Sequence, residues 1–138
     1  MQPVTFHVHG QPVPQPRARV SSRGGFARAY VPAKHPVHAY RTAIETAARK
    51  AGVVPAVDPV DVVVMAQFER PKSHLTKRGV KATAPRLPRP DVDNVGKAVL
   101  DALQPVLGDD TIVGRLVVAK RYSDAGMTSV TIQAMSDE

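Results

Sequence analysis

Acidic side chains crowd one short segment of a sequence that is otherwise strongly basic. Asp91 and Asp93 stand together, Asp101 follows, and Asp109 and Asp110 form a second pair. Carboxylates that converge without a thiolate partner are hard oxygen ligands, which suit Mg²⁺ or Mn²⁺. A bound ion of this kind polarises a phosphoryl oxygen and generates a nucleophile from water near neutral pH. The segment therefore predicts a divalent-metal site that acts on phosphate esters.

Lys97 adds a cation to this acidic segment. In a helix that begins near Asp93, the residues Asp93, Lys97 and Asp101 are spaced four apart and lie along one face. A lysine one turn from a ligand carboxylate can offset the negative charge that develops in the transition state. The structural alternative is that the first aspartates cap the helix, Lys97 forms a surface ion pair, and the Asp-Asp pair forms a turn.

The charge of the whole chain indicates a polyanionic partner. Nineteen Lys and Arg against twelve Asp and Glu give a formal net charge of +7, which is typical of nucleic-acid-binding proteins. The bases concentrate in residues 1–50 and 69–97, whereas acids outnumber bases from residue 98 onward.

The chain has no cysteine, which excludes disulfides, thiolate zinc sites and cysteine nucleophiles. No stretch has the pattern of a signal peptide or membrane span, so we expect a cytoplasmic protein of a bacterium or a phage-infected cell.

Hydrophobic periodicity predicts the elements that must position these groups. The expected fold is a single α+β domain over residues 1–138, of α/β type, with a small mixed sheet and two main helices. Strands are predicted at residues 4–9, 60–68, 111–119 and 127–135, and helices at residues 36–51 and 93–103. Pro105 is expected to end the second helix, and the last two strands are expected to pair through residues 123–126.

Two segments between these elements carry many of the bases. Residues 19–30 surround a Ser-Ser-Arg-Gly-Gly turn and are predicted to form a hairpin or a mobile loop. Residues 71–90 contain several prolines and show no periodicity, which predicts a long loop; loops of this length in compact domains are usually functional or disordered. The residues expected to contact DNA phosphates are Arg17, Arg19, Arg23, Arg28, Lys72, Lys77, Arg78 and Arg89.

The spacing of the acidic segment resembles the signature of the RusA family of Holliday-junction resolvases. The motif reads Asp-x-Asp-Asn-x-x-Lys-x-x-x-Asp-Ala-Leu from Asp91 onward, with an Asp-Asp pair shortly after it. Other stretches similar to the family pattern extend the resemblance over about residues 3–134. These are Gly-Gln-Pro-Val-Pro from Gly10 with Arg17 and Arg19, Tyr30 and Pro32, Phe-x-x-Pro-Lys-Ser from Phe68, and Lys-x-Tyr from Lys120.

This resemblance implies a homodimeric, Mg²⁺-dependent enzyme, with Mn²⁺ as a substitute, that cuts two strands of a four-way DNA junction symmetrically. Position by position, it implies that Asp91, Asp93 and Asp110 bind the metal, with Asp109 as the alternative to Asp110. Lys97 would be the catalytic lysine. Asn94 and Asp101 would support the site.

Two other functions stay open from the residues alone. One is a non-catalytic, basic nucleic-acid-binding protein whose acids are structural. The other is a metal-dependent nuclease for other branched or single-stranded DNA, because junction selectivity depends on dimer geometry rather than on a motif. A second metal-binding pair, His7 and His9 on one face of the first strand, is less favoured because that face is expected to be solvated.

Overall fold

The computed structural model of the protein describes residues 2–25 and 27–136, apart from the side chains of Arg19, Arg23 and Asp110. Its strands are β1 (Val4–His9), β2 (Arg19–Ser21), β3 (Arg28–Tyr30), β4 (Val60–Glu69), β5 (Leu75–Thr76), β6 (Gly79–Val80), β7 (Val113–Ser123) and β8 (Met127–Ala134). Its α-helices are α1 (Val37–Lys50) and α2 (Val92–Leu107). The predicted α+β class with two main helices is confirmed. No described helix is long and apolar enough to cross a membrane.

A four-stranded mixed sheet in the order β1-β8-β4-β7 forms the centre of the fold. β4 pairs in parallel with β7 and antiparallel with β8, and β8 pairs antiparallel with β1. The prediction that the last two strands pair with each other is therefore wrong, because β4 lies between them. β4 is the most deeply buried strand, and a central position satisfies its main chain on both edges.

Both helices pack on the same face of this sheet. Most of their buried side chains share one core with the even-numbered side chains in the first half of β4, as Ile44 of α1 and Leu103 of α2 illustrate. Tyr40 of α1 also reaches the sheet, where its hydroxyl shares a hydrogen bond with the hydroxyl of Thr128. Burial raises the pKa of Tyr40, and the bond to Thr128 lowers it in part. The neutral phenol thus ties α1 to β8.

Helix α2 runs four residues beyond its predicted end at Leu103. Pro105 lies inside it and costs the helix one main-chain hydrogen bond. Val106 and Leu107, beyond the proline, are only 1 % and 2 % exposed. Their burial offsets the missing bond, so the helix continues until Gly108, whose positive φ of 94° favours glycine.

The first half of α2 approaches β7 closely at Gly96. A Cβ atom there would lie 2.7 Å from Cγ2 of Val118 and 3.2 Å from Cδ2 of Leu116. Only glycine allows this approach, which places the start of α2 against β7. The contact also shows that the even-numbered side chains of β7 face the helix. β7 extends to Ser123, past its predicted end at residue 119.

The two basic segments both contain hairpins. The hairpin predicted within residues 19–30 is confirmed as the antiparallel pair β2 and β3. The segment predicted as a loop over residues 71–90 contains the short pair β5 and β6. Lys77 and Arg78 form the two-residue tip between these strands, and the Thr76 hydroxyl accepts a hydrogen bond from the Arg78 N–H at 3.2 Å. Strands of two residues are too short to show any periodicity in the sequence.

Candidate active site

Two exposed carboxylates stand at the start of α2. Asp91 is the N-cap residue, with an extended backbone, and Asp93 lies in the first turn. Asp91 makes no side-chain capping bond, so the structural alternative of a capping role does not hold for it. Among the described residues, neither carboxylate has a hydrogen-bond or ion-pair partner. The positive end of the helix macrodipole favours negative charge at both positions, and their oxygens are available to a ligand.

Lys97 lies on the next turn of α2. Its Nζ is 3.9 Å from Oδ1 of Asp101, and the two side chains are 62 % and 32 % exposed. A long, solvated pair at this helical spacing contributes only about 0.3–0.5 kcal/mol. Lys97 is therefore weakly held, and its ammonium can turn toward a phosphate bound at the helix start.

The second aspartate pair follows α2 across Gly108. Oδ1 of Asp109 accepts a hydrogen bond from the Thr111 N–H at 2.9 Å, at the entrance to a short 3-10 turn, Asp110–Ile112. The main chain of Asp110 opens this turn, and its side chain lies outside the described atoms. Asp109 thus stabilises a turn, as the structural alternative for the Asp-Asp pair predicts.

Across the described side chains, no group of three or more His, Cys, Asp or Glu residues lies close enough together to form a metal site. His7 instead shares a hydrogen bond at 2.9 Å with the Ser129 hydroxyl. Two carboxylates are nevertheless a fitting donor set for Mg²⁺, which keeps several waters and commonly binds one or two carboxylates together with substrate phosphates. Asp91 and Asp93 meet that requirement at an exposed point.

The proline-rich segment after β1 docks against the start of α2. The Gln15 N–H donates to the main-chain oxygen of Asn94 at 2.9 Å, so the backbone of Asn94 holds this segment beside the start of α2. Arg17 is exposed and follows two residues later, which places it within about 7 Å of Gln15 along an extended chain. Arg28, on β3, is also exposed. The side chains of Arg19 and Arg23 lie outside the description.

The second basic segment reaches the same helix start. Its predicted DNA contacts Lys72, Lys77, Arg78 and Arg89 are all exposed. Arg89 precedes Asp91 by two residues, whereas Lys77 and Arg78 lie further out at the hairpin tip. The segment that leads to Arg17 and the segment that ends at Arg89 therefore both reach the start of α2, beside the two carboxylates.

A comparison with known proteins identifies the family of this chain. The sequence profile of the family described as "Endodeoxyribonuclease RusA" matches residues 9–133. The chain belongs to the RusA family. It is also 33 % identical over 141 residues to the "Uncharacterized protein YqaN" of Bacillus subtilis (strain 168), with 99 % of each chain covered. RusA membership implies an endodeoxyribonuclease that acts on branched DNA junctions, as the motif predicts.

Two basic residues of this RusA-family chain have roles that the sequence did not reveal. Arg70, directly before the basic segment of residues 71–90, stacks its guanidinium 4.2 Å from the ring centroid of Tyr122. It also donates to the main-chain oxygen of Pro85 at 2.9 Å. Lys120 donates to the main-chain oxygens of Pro88 and Pro90 at 2.7 Å and 2.6 Å. The Lys-x-Tyr pattern in the sequence includes Lys120, but the pattern does not show which atoms its ammonium binds.

Proposed function

We propose that this RusA-family chain resolves four-way DNA junctions as a homodimer, in a reaction that depends on Mg²⁺ or Mn²⁺. The observation that carries the proposal is the pair of exposed carboxylates, Asp91 and Asp93, at a helix start that directly follows Arg89 and Pro90 and that the segment leading to Arg17 contacts. In a protein that only binds DNA, carboxylates at that point would repel the phosphates. A divalent cation bound by Asp91 and Asp93 would offset that repulsion and attract the phosphates.

Each side chain of the site has a separate task in this proposal. Asp91 and Asp93 hold the divalent ion, and Asp110 is the favoured third ligand because Asp109 already accepts the Thr111 N–H. When bound, the ion supplies a Lewis acid and a nucleophile from water. Lys97 leaves its loose pair with Asp101 and stabilises the charge that develops on the phosphate oxygens in the transition state.

The basic segments bind the DNA backbone. Arg89, two residues before Asp91, and Arg17, two residues after the Gln15 that binds the Asn94 carbonyl, would contact the phosphates flanking the cleaved bond. The other six basic residues predicted to contact DNA would bind the arms of the junction and release counterions. They are Arg19, Arg23, Arg28, Lys72, Lys77 and Arg78.

A dimer completes the proposal because resolution requires two cuts. Two copies related by a two-fold axis present two identical sites to the opposed strands of a junction that has matching symmetry. The proposed setting is the cytoplasm of a bacterial or phage-infected cell, where the enzyme would serve recombination and repair.

Cleavage of a synthetic four-way junction beside a linear duplex tests this function. We expect symmetrical nicks in the junction with Mg²⁺ or Mn²⁺, no product with EDTA, and little cleavage of the duplex. Sedimentation at assay concentration should give the mass of a dimer. Tight junction binding without metal-dependent cleavage would favour a non-catalytic DNA-binding protein. Flaps and single strands are added as further substrates, and their cleavage at the same rate as the junction would favour a nuclease for other branched or single-stranded DNA.

A further inference from the structure

Lys120 joins the central sheet to the entrance of the active-site helix. It lies on β7 two residues after Val118, whose side chain faces α2 at Gly96, and alternation along the strand puts Lys120 on the same face. Its side chain is half-buried, and its ammonium donates two short hydrogen bonds, to Pro88 O at 2.7 Å and Pro90 O at 2.6 Å. Charge-assisted bonds of this length are the strong class of hydrogen bond.

The segment that Lys120 binds has little else to hold it. Prolines at 85, 88 and 90 have no N–H to donate. Within the described residues, no hydrogen bond between main-chain atoms involves residues 85–90. Pro88 is buried, and cationic side chains supply the polar contacts, since Arg70 binds Pro85 O at 2.9 Å and Lys120 binds the other two carbonyls.

Asp91 follows directly from this segment. Its side chain makes no capping bond, so the place and direction in which this side chain leaves the backbone are set by the main chain on either side. On one side the Asp91 carbonyl accepts the Val95 N–H at 3.1 Å, which belongs to the first turn of α2. On the other side lies Pro90, whose carbonyl is held by Lys120.

We propose that Lys120 is a positioning residue for the metal site: through two proline carbonyls it fixes the main chain that orients the Asp91 carboxylate. This inference rests on the proposed metal-dependent function. Lys120 does not contact the reacting atoms in this role. Two of its three N–H donors already bind carbonyl oxygens, which leaves it poorly suited to be a phosphate contact of the kind expected from the exposed bases.

The test compares Lys120→Met, which keeps a similar length without the ammonium, with the matched control Arg121→Met. Arg121 is the next residue of β7, is exposed, and points to the opposite face of the sheet. Four quantities are measured: Mn²⁺ affinity of the protein by electron paramagnetic resonance, single-turnover junction cleavage against Mg²⁺ concentration, junction affinity without metal, and melting temperature.

We expect Lys120→Met to weaken Mn²⁺ binding by about 10–100-fold, as for other groups that orient metal ligands. The Mg²⁺ concentration for half-maximal cleavage should rise by a similar factor, while metal-free junction affinity stays within about threefold. Arg121→Met should match the wild type in Mn²⁺ affinity and Mg²⁺ requirement. If Lys120→Met does not fold, Lys120→Gln, which keeps an N–H donor without the charge, is judged by the same criteria.

Three outcomes would overturn the inference. A lower melting temperature with unchanged Mn²⁺ affinity and Mg²⁺ requirement would make Lys120 a stabilising residue only. A fall in metal-free junction affinity equal to the fall in cleavage would make it a DNA contact. A wild-type protein that neither binds Mn²⁺ nor cleaves the junction would overturn the proposed function and this inference together.

Discussion

The two ends of α2 use one helix for different purposes. At its C-terminal end, Leu103, Val106 and Leu107 are almost wholly buried between α1 and the sheet. At its N-terminal end, Asp91 and Asp93 are exposed and unpaired among the described residues. The buried end can fix the direction of the helix while the exposed end presents its carboxylates. Substitutions at the two ends should therefore affect different properties, stability at one and cleavage at the other.

The largest effect is expected for Asp93→Asn. Losing a ligand charge should lower junction cleavage by at least about 10³-fold, since removing a group that acts directly in catalysis commonly costs that much. Junction affinity should be kept or should tighten, because one negative charge near the phosphates is removed. Asp58→Asn is the matched control, since Asp58 is exposed and precedes β4 near the C-terminal end of α2. Near-normal cleavage by Asp93→Asn would refute its role as a ligand.

A somewhat smaller effect is expected for Lys97→Ala. Losing a cation that acts on the transition state should lower single-turnover cleavage by about 10²–10³-fold, or roughly 3–4 kcal/mol. Junction affinity should change by less than about threefold, as for one phosphate contact. Lys97→Arg should not restore the full rate, because a planar guanidinium replaces a compact charge. If Lys97→Ala cleaved a pre-bound junction at the normal rate, Lys97 would be only a surface partner of Asp101.

At the buried end, Leu103→Ala should act on stability. Its side chain is fully buried in the core, and a cavity of this kind costs about 2–5 kcal/mol of the free energy of unfolding. Urea denaturation measures the loss. Cleavage per folded molecule should be nearly unchanged well below the transition. Val57→Ala, at a residue that is 90 % exposed, should change stability by less than about 0.5 kcal/mol.

Gly96 lies between the two ends of α2, and Gly96→Ala should lower both the stability and the cleavage rate by smaller amounts. The added Cβ would lie 2.7 Å from Cγ2 of Val118, and overpacking of this kind costs about 1–3 kcal/mol. The gain in helix propensity, about 1 kcal/mol, should not fully offset it. Because the start of α2 must move away from β7, the cleavage rate should also fall. A more stable and fully active Gly96→Ala protein would show that this close approach has no role in positioning the site.

The sequence predicted those parts of the fold that depend on local pattern. Alternation in β1 and β8 and the helical spacing in α1 identified these elements, and the close spacing of Asp91, Asp93 and Lys97 in the sequence identified the candidate site. The order of the strands could not be predicted from local patterns, because the placement of β4 between β7 and β8 depends on contacts across the whole chain. The continuation of α2 through Pro105 depends on burial against α1, which outweighs a local rule. The assignment of Asp110 as third ligand stays a prediction.

The partners of Arg70 and Lys120 were missed for a different physical reason. Both side chains bind main-chain oxygens, and any residue type can offer a carbonyl at a given place. Charge counting treats such cations as part of a DNA-binding surface. Only the path of the chain between residues 85 and 90 distinguishes a lysine that holds the backbone from one that is available to phosphate.

The bonds from Lys120 to carbonyl oxygens also bear on how specificity could change without loss of catalysis. Because Lys120 contacts no side chain in these bonds, the exposed side chains of Arg86 and Leu87 are not constrained by them. A library that varies these two positions can therefore search for new cut-site preferences while the main chain before Asp91 keeps its bonds to Lys120. The same segment would give an engineer two variable positions directly beside the proposed metal site.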